Sequence, residues 1–418
     1  MLSIYMINIC LLFGIFPTSL KSEIENNSKG AMQYAADALQ KSIISGITTL
    51  YDNVSIVNLP FISSYPRYYK KIFAPTGPVQ LEVDGVEGES ISYINLPILK
   101  FLSKTRNAFK GLKEWGNKIE GQKVIIIYSA HSPLIKAAVQ YKNNVDSNTK
   151  IILVLPDLPE FMAQKRSLFV EQLKRIDEHI IRKLYKNVDG FIFLTEFMKE
   201  KLPMEKQPYR VVEGIFNPKD QQIYEYVTKK TVFYGGTLAK RYGILNLVNA
   251  FIKADMPDYV LEICGMGDTK DEICKIAAIH SNIHYLGLLK REEALKKQME
   301  ATLLVNPRTP EGEFTRYSFP SKTMEYLASG VPTLLYKLPG IPEEYYNYCF
   351  SISELGVDAL ASKLKEVLEM PIEKKKELGK SAKHFILTKK NPIEQCTKIY
   401  DLINEICHCP IYEKNIDY

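Results

Sequence analysis

The chain has 418 residues, 46% hydrophobic and 24% charged, a globular composition that excludes a disordered or low-complexity protein. That length calls for two domains of about 200 residues rather than one core. The net charge of +6 is spread thinly, which excludes the dense basic footprint of sequence-specific DNA binding and suits an anionic substrate or an anionic membrane surface.

The seven cysteines stand alone or in Cys407-His408-Cys409, with no C-x-x-C pair. Such usage fits reduced thiols in a cytosol, and Cys407 and Cys409 read as tail residues rather than metal ligands. Residues 1–17 hold an apolar run with no positive residue before it and no A-x-A-like site after it, so they read as a buried first strand, not a signal peptide. No stretch reaches ~18 continuous apolar residues, and no transmembrane helix is expected.

That first strand, residues 4–13, stops at Gly14-Ile15-Phe16-Pro17, and apolar residues at helical spacing place a helix over 29–44. Strand, turn and helix are the first beat of a doubly wound α/β domain, whose ligand crevice lies outside the carboxyl ends of the strands, so the loop around Gly14 is expected to face that crevice. Strands are expected at 54–57 and 91–93, then a basic amphipathic helix over 97–115, in which Lys100, Lys104, Arg106, Lys110 and Lys113 accompany Leu99, Leu102, Phe109, Leu112 and Trp115. Two readings stay open for it: a helix lying on a membrane interface, or a solvated outer face with an aromatic tucked into the core. Strand 123–128 leads into His131, either a histidine satisfied by a backbone carbonyl or a cleft residue. Strand 151–155 ends at Asp157. A long basic helix covers 164–185, and strand 189–194 ends at Thr195-Glu196. His131, Asp157 and Glu196 thus fall at successive strand ends of one crevice. Residues 211–215 close this domain, and the polar run 217–230 reads as a linker.

The α/β beat then restarts. Strand 231–234 meets Gly235-Gly236, where bare backbone N–H groups can approach a phosphate beside Lys240 and Arg241, and Gly243 opens a helix. Strand 259–264 meets Gly265-Met266-Gly267-Asp268, and strand 282–285 meets Leu286-Gly287-Leu288. A helix over 291–299 precedes the most informative stretch. Strand 301–305 stops at Asn306-Pro307-Arg308, and after a polar loop an amphipathic helix opens at Pro320-Ser321-Lys322 and closes at Gly330. A helix N-terminus presents unpaired N–H groups and roughly half a positive charge, Lys322 adds a full one, and Glu325 lies one turn on, where a carboxylate can accept both hydrogen bonds of a ribose diol. Together they describe a nucleotide-diphosphate site. A strand at 333–336 and helices near 357–369, 374–387 and 392–406 complete the chain.

The order Gly-Gly…Lys-Arg, Gly-x-Gly-Asp, Leu-Gly, Asn-Pro-Arg and Ser-Phe-Pro-Ser-Lys-x-x-Glu-Tyr-Leu-Ala-Ser-Gly-x-Pro, over residues 232–342, resembles the GT-B glycosyltransferases of family 4, particularly bacterial enzymes of capsule and surface-polysaccharide synthesis. The resemblance implies an α/β fold of two Rossmann-like domains facing across a cleft. Residues 1–216 would bind the acceptor and residues 217–391 the nucleotide sugar, while residues 392–418 cross back to the first domain. It implies His131, Lys240 and Lys322 as catalytic residues. Gly235, Gly236, Arg241, Gly265, Gly267, Leu286, Gly287, Arg308, Ser321 and Glu325 would bind the donor, with Gly14, Asp157 and Glu196 on the acceptor side. No metal or cofactor is implied. The partners are a nucleotide-sugar donor and a glycan or lipid-linked acceptor, at the cytoplasmic side with peripheral contact to an anionic membrane, and no nucleic acid. The chemistry implied is retaining hexosyl transfer. An epimerase of UDP-sugars with this architecture, or an inactive nucleotide-sugar-binding subunit, is the alternative. One departure stands out: the family's paired glutamates, separated by seven residues, would put the first at position 317, which is Tyr317, and Glu313 is the nearest carboxylate.

Overall fold

The computed structural model describes residues 6–30, 32–79, 86–158, 168–218 and 229–408. Cys409, the first residues of the opening strand and most of the expected 217–230 linker lie outside them. The chain divides into two compact units: the residues up to Ile215 together with those from Pro392 onward, and Phe216–Asn391.

The first unit holds strands β1 (Ile7–Phe13), β2 (Val54–Asn58), β3 (Gly77–Pro78), β4 (Glu87–Ser90), β5 (Gln122–Tyr128), β6 (Lys150–Leu155), β7 (Gly190–Phe193) and β8 (Tyr209–Val211), and helices α1 (Thr18–Asn27), α2 (Tyr34–Leu50), α3 (Leu99–Gly116), α4 (Ser132–Asn144) and α5 (Leu168–Leu184). Its sheet runs β3-β4-β2-β1-β5-β6-β7-β8, parallel except for the β3–β4 pair. Central strands β1, β5 and β6 are buried along almost their whole length, which is why they read as unbroken apolar runs rather than alternating ones. Strand order reverses direction between β1 and β5, and the crevice of such a sheet opens there.

Two expectations are corrected here. A helix, α1, follows Pro17 directly; its sequence TSLKSEIENN buries only Leu20 and Ile24, too few apolar residues to register as a periodic pattern. Residues 91–93 are not the strand, which is instead the polar segment Glu87–Ser90. Gly88 pairs with Ile56, and a Cβ on it would lie 2.8 Å from that side chain, so the glycine lets β4 approach β2.

The second unit holds β9 (Lys229–Gly235), β10 (Val260–Cys264), β11 (Ile283–Tyr285), β12 (Ala301–Asn306), β13 (Thr333–Tyr336) and β14 (Phe350–Ile352), with α6 (Ile244–Ala254), α7 (Lys270–Ile279), α8 (Arg291–Glu300), α9 (Ser321–Ser329), α10 (Val357–Glu369) and α11 (Ile372–Lys389). Its sheet, β11-β10-β9-β12-β13-β14, is wholly parallel, and the order reverses at β9 and β12. A core of Phe233, Cys264, Ala301, Leu304, Tyr326 and Val331 joins α9 to the strands. Helix α7 and strand β14 are short elements that the sequence pattern did not mark.

The last helix, α12 (Pro392–Cys407), packs on α2 in the first unit. Gly46 makes that approach possible, since a Cβ there would lie 2.2 Å from the Pro392 carbonyl oxygen and 2.5 Å from Cys396 Sγ. Cys396, Ile399, Leu402 and Ile403 are fully buried in the core that also holds Ile43, Ile44 and Ile47.

Candidate functional site

In the second unit, the loops after β9, β10 and β11 are knitted together through their main chains. Gly236 donates to the Cys264 carbonyl at 3.0 Å, Leu238 to Met266 at 2.9 Å, and Gly265 to Gly287 at 2.8 Å. Gly265 has φ +137°, and a Cβ on it would sit 1.8 Å from the Gly236 carbonyl oxygen; one on Gly267 would sit 2.1 Å from that of Leu238. These glycines are required because backbone meets backbone. The loop after β10 also holds the next residues of the β9 loop, for the Lys240 N–H donates to Asp268 Oδ1 at 2.9 Å. Lys240 and Arg241 themselves are exposed.

Helix α9 starts at Ser321 behind Pro320, with no side chain capping it, and ends on Gly330 in the left-handed region. Its N-terminal N–H groups and positive dipole end are thereby left for another partner. One turn in, Tyr326 is fully buried. Its hydroxyl accepts from the Gly235 N–H at 2.9 Å and lies 3.3 Å from the Gly235 carbonyl oxygen. Burial drives this phenol well above its ordinary range, so it stays neutral. The double-glycine bend and the Ser321-Lys322 helix are therefore one hydrogen bond apart. Lys322 Nζ pairs with Glu325 Oε1 at 2.7 Å, with 40% and 24% of their side chains exposed. Ion pairs as open as this contribute ~0–1 kcal/mol, so an anion can displace the carboxylate.

Sequence reasoning missed Tyr326 as a tie, because an aromatic on the apolar face of a helix looks like core. Tyr326→Phe is expected to cost about 1–3 kcal/mol of stability, since the buried Gly235 N–H loses its acceptor. A lowered unfolding midpoint with weakened nucleotide-diphosphate binding would bear this out, and an unchanged midpoint would refute the tie.

Behind the helix start, Arg308 is buried and its Nη2 donates to Ser318 Oγ at 2.6 Å. Its guanidinium lies 4.6 Å from the Phe314 ring centroid and 5.7 Å from that of Tyr242, while Arg241 lies 5.4 Å and 5.0 Å from the same two rings. Stacking on aromatic faces helps to hold both cations in place. Leu286 is half-buried against the core, and Gly287 has φ +73° with nothing within 4 Å of where a Cβ would be. Tyr317 is only 5% exposed, so a buried phenol stands where the resemblance would put a glutamate. Glu313 is exposed at the start of the short 3-10 turn Glu313–Thr315.

In the first unit, His131 occupies the N-cap position of α4, at the end of β5. Its ring lies 5.7 Å from that of Phe61 and 6.2 Å from that of Phe101, and its Nδ1 is buried with no hydrogen-bond partner. The carbonyl-satisfied reading is therefore not what the side chain shows. Burial, then Lys104 and Lys100, hold its pKa well below the usual imidazole range. Asp157 is exposed at the end of β6 and acts on the Tyr128 phenol, which burial pushes up.

Two acceptor-side expectations need correction. Gly14 is buried and its N–H is already taken by Gln40 Oε1 at 2.8 Å; a Cβ there would lie 2.1 Å from the Phe61 ring, so it makes room for Phe61 rather than binding a ligand. Glu196 is engaged on the surface by Lys199 and by the Tyr209 hydroxyl at 2.6 Å, near the β8 edge of the sheet. The basic helix α3 is neither of the two readings alone. Trp115 is buried, yet Ile98, Leu99, Phe101 and Leu102 at its start are 60, 46, 42 and 64% exposed, and Lys104, expected on the solvated side, is 1% exposed.

Residues 216–385 match the family model described as Glycosyl transferases group 1. That stretch of the chain is a group 1 glycosyl transferase domain. It carries every residue of the glycine loops, the arginine and aromatic cluster and α9. No curated protein matches the chain in sequence. Among solved structures, sucrose-phosphate synthase from Thermosynechococcus elongatus is similar over 96% of this chain and 99% of its own, with 13% identity and a TM-score of 0.59. A UDP-forming α,α-trehalose-phosphate synthase from Burkholderia xenovorans, in complex with glucose-6-phosphate, is similar over 94% and 100%, with 11% identity and a TM-score of 0.60. The apo lipopolysaccharide outer core galactosyltransferase WaaB is similar over 95% and 99%, with 11% identity and a TM-score of 0.58. These likenesses establish the fold: GT-B, with two Rossmann-like α/β domains, of which the glycosyl transferase domain is the second.

Among the described residues, no group of three or more His, Cys, Asp or Glu side chains is placed to hold a metal ion, and no helix is long and apolar enough to cross a membrane.

Proposed function

We propose that the protein is a retaining, metal-independent glycosyltransferase that moves a hexose-type sugar from a nucleotide-diphosphate sugar to a lipid-linked glycan acceptor in surface-polysaccharide synthesis, at the cytoplasmic face of a membrane. The observation that carries this reading is the Tyr326 hydroxyl on Gly235, because it brings the glycine bend and the lysine-bearing helix start to one place in the glycosyl transferase domain. A diphosphate bound there meets the α9 N-terminus, the Ser321 hydroxyl and the Lys322 ammonium. Drawn to the phosphate, Lys322 releases Glu325, whose carboxylate then accepts from the ribose diol. Lys240, Arg241 and Arg308 supply further positive charge.

In the transfer, the bond from the anomeric carbon to the diphosphate oxygen breaks as negative charge grows on that oxygen. Preorganised N–H groups and cations aimed at such growing charge each contribute roughly 3–4 kcal/mol of transition-state stabilisation. The acceptor hydroxyl attacks from the same face, the new carbon–oxygen bond forms with retention, and its proton passes to the departing diphosphate. His131 stands on the acceptor side. The exposed apolar start of α3, with Ile98 and Leu102 foremost, suits a seat on a membrane surface.

A thermal-shift comparison of UDP, GDP and ADP tests the donor, since a ligand that binds only the folded state raises the unfolding midpoint. UDP is the first expectation, in keeping with the UDP-forming synthase of the same fold. With the sugar donor identified, turnover is expected to survive EDTA, because the charge is neutralised by the chain's own cations and amides. A strict Mg²⁺ requirement would overturn the mechanism.

A further inference from the structure

The first unit contains a positive cluster to which no carboxylate is paired among the described residues. Lys104, on α3, is 1% exposed, with its ammonium 4.4 Å from the Tyr93 ring centroid and 5.1 Å from that of Phe61. No hydrogen bond or ion pair to it is formed among the described residues. One turn back on the same helix, Lys100 donates to the Ile62 carbonyl at 2.6 Å and lies 5.9 Å from the Tyr93 ring. His131 adds the buried, partnerless Nδ1, and sits at the N-terminus of the 13-residue helix α4, the positive end of its dipole. The charged groups that act on His131 are Lys104 and Lys100, both cations. A buried ammonium without an acidic partner is costly unless a ligand supplies the missing charge, and all three residues gather where the strand order reverses between β1 and β5, the ligand crevice of this kind of sheet.

We propose that Lys100, Lys104 and His131 form an anion site that takes a phosphate group carried by the acceptor. The assignment rests on reading this unit as the acceptor domain. Cation–π contact with Tyr93 and Phe61 holds the Lys104 ammonium in place while the site is empty, and an arriving phosphate supplies the counter-charge. Two sources share this chemistry: a lipid headgroup, whose apolar chains would lie along the exposed Ile98, Leu99, Phe101 and Leu102, or a soluble sugar phosphate.

The test is thermal unfolding of the full chain with UDP saturating, so that the donor site is filled, with and without inorganic phosphate, for the wild type and Lys104→Met. Phosphate at about ten times its Kd is expected to raise the wild-type midpoint by about 4 °C and that of Lys104→Met by less than about 1 °C. Burial lowers the folded-state pKa of Lys104 below its unfolded value, so near neutral pH the unfolded chain binds the proton more tightly and protonation opposes folding; Met should therefore raise the ligand-free midpoint. Lys100→Gln, at a more open position, should show a smaller loss of the phosphate response. An equal phosphate shift in wild type and Lys104→Met, or no shift in the wild type, overturns the site. Co-sedimentation with phosphatidylcholine vesicles, with and without phosphatidic acid, separates the sources. Acid-dependent binding lost in Lys104→Met assigns the phosphate to a lipid, whereas a phosphate response without such binding assigns it to a soluble acceptor. Failure of UDP to shift either protein would sink the transferase reading, yet the difference between the two proteins in phosphate would still decide the anion site.

Discussion

Lys322→Ala is expected to lower turnover at saturating donor by at least about a hundredfold while the protein still folds. The loss follows from removing the one full charge at the α9 start, where about 3–4 kcal/mol of transition-state stabilisation is at stake. The fold survives because the lysine's only ion pair among the described residues is with Glu325, three residues on in the same helix and partly open to solvent, a contact worth ~0–1 kcal/mol. The measurement is kcat beside the unfolding midpoint of the same preparation. Near-wild-type turnover would remove Lys322 from the chemistry, and a collapsed midpoint would mean that its role in the fold had been underrated.

Gly265→Ala is expected to damage both stability and donor binding. The new methyl group would meet the Gly236 carbonyl oxygen at 1.8 Å on a backbone already at φ +137°, a region that L side chains avoid. Relief requires one of the two loops to move. Moving Gly236 strains its hydrogen bond to Cys264 and the neighbouring Gly235–Tyr326 contact. The expected cost is about 2–4 kcal/mol, as for other changes that force backbone strain, together with loss of the UDP-induced rise in midpoint. Gly287→Ala is the comparison. It too has positive φ, +73°, but nothing lies within 4 Å of its added methyl, so only the left-handed penalty of about 1–2 kcal/mol applies. Equal losses in the two variants would refute the close approach of the loops.

The glycosyl transferase domain was legible in the sequence because its ligand-facing parts are punctuation: paired glycines, Asn-Pro, and a Pro-Ser-Lys helix start, each tied to a local backbone need. The first unit was less so. Its central strands are unbroken apolar runs and declared themselves, but β4 is a polar strand that depends on Gly88, and α1 buries too little to show a period. Lys104 was misplaced on the solvated side because helical spacing locates a residue on a face without saying what covers that face. Gly14 and Glu196 followed from a sound rule about strand ends. What the rule could not see was that Gln40 already takes the N–H of Gly14, and that Lys199 and Tyr209 already hold Glu196.

The return of α12 to α2 makes the first unit discontinuous in the chain. As the polypeptide emerges from the ribosome, the sheet of this unit can form before α12 exists, but the core that α2 shares with Ile399, Leu402 and Ile403 stays incomplete until those side chains arrive. Each such side chain is worth about 1.5–3 kcal/mol once covered. The glycosyl transferase domain, encoded as one uninterrupted stretch, needs no such wait. The unit begun first is thus the one finished last, and its half-built surface is what a chaperone would meet during synthesis.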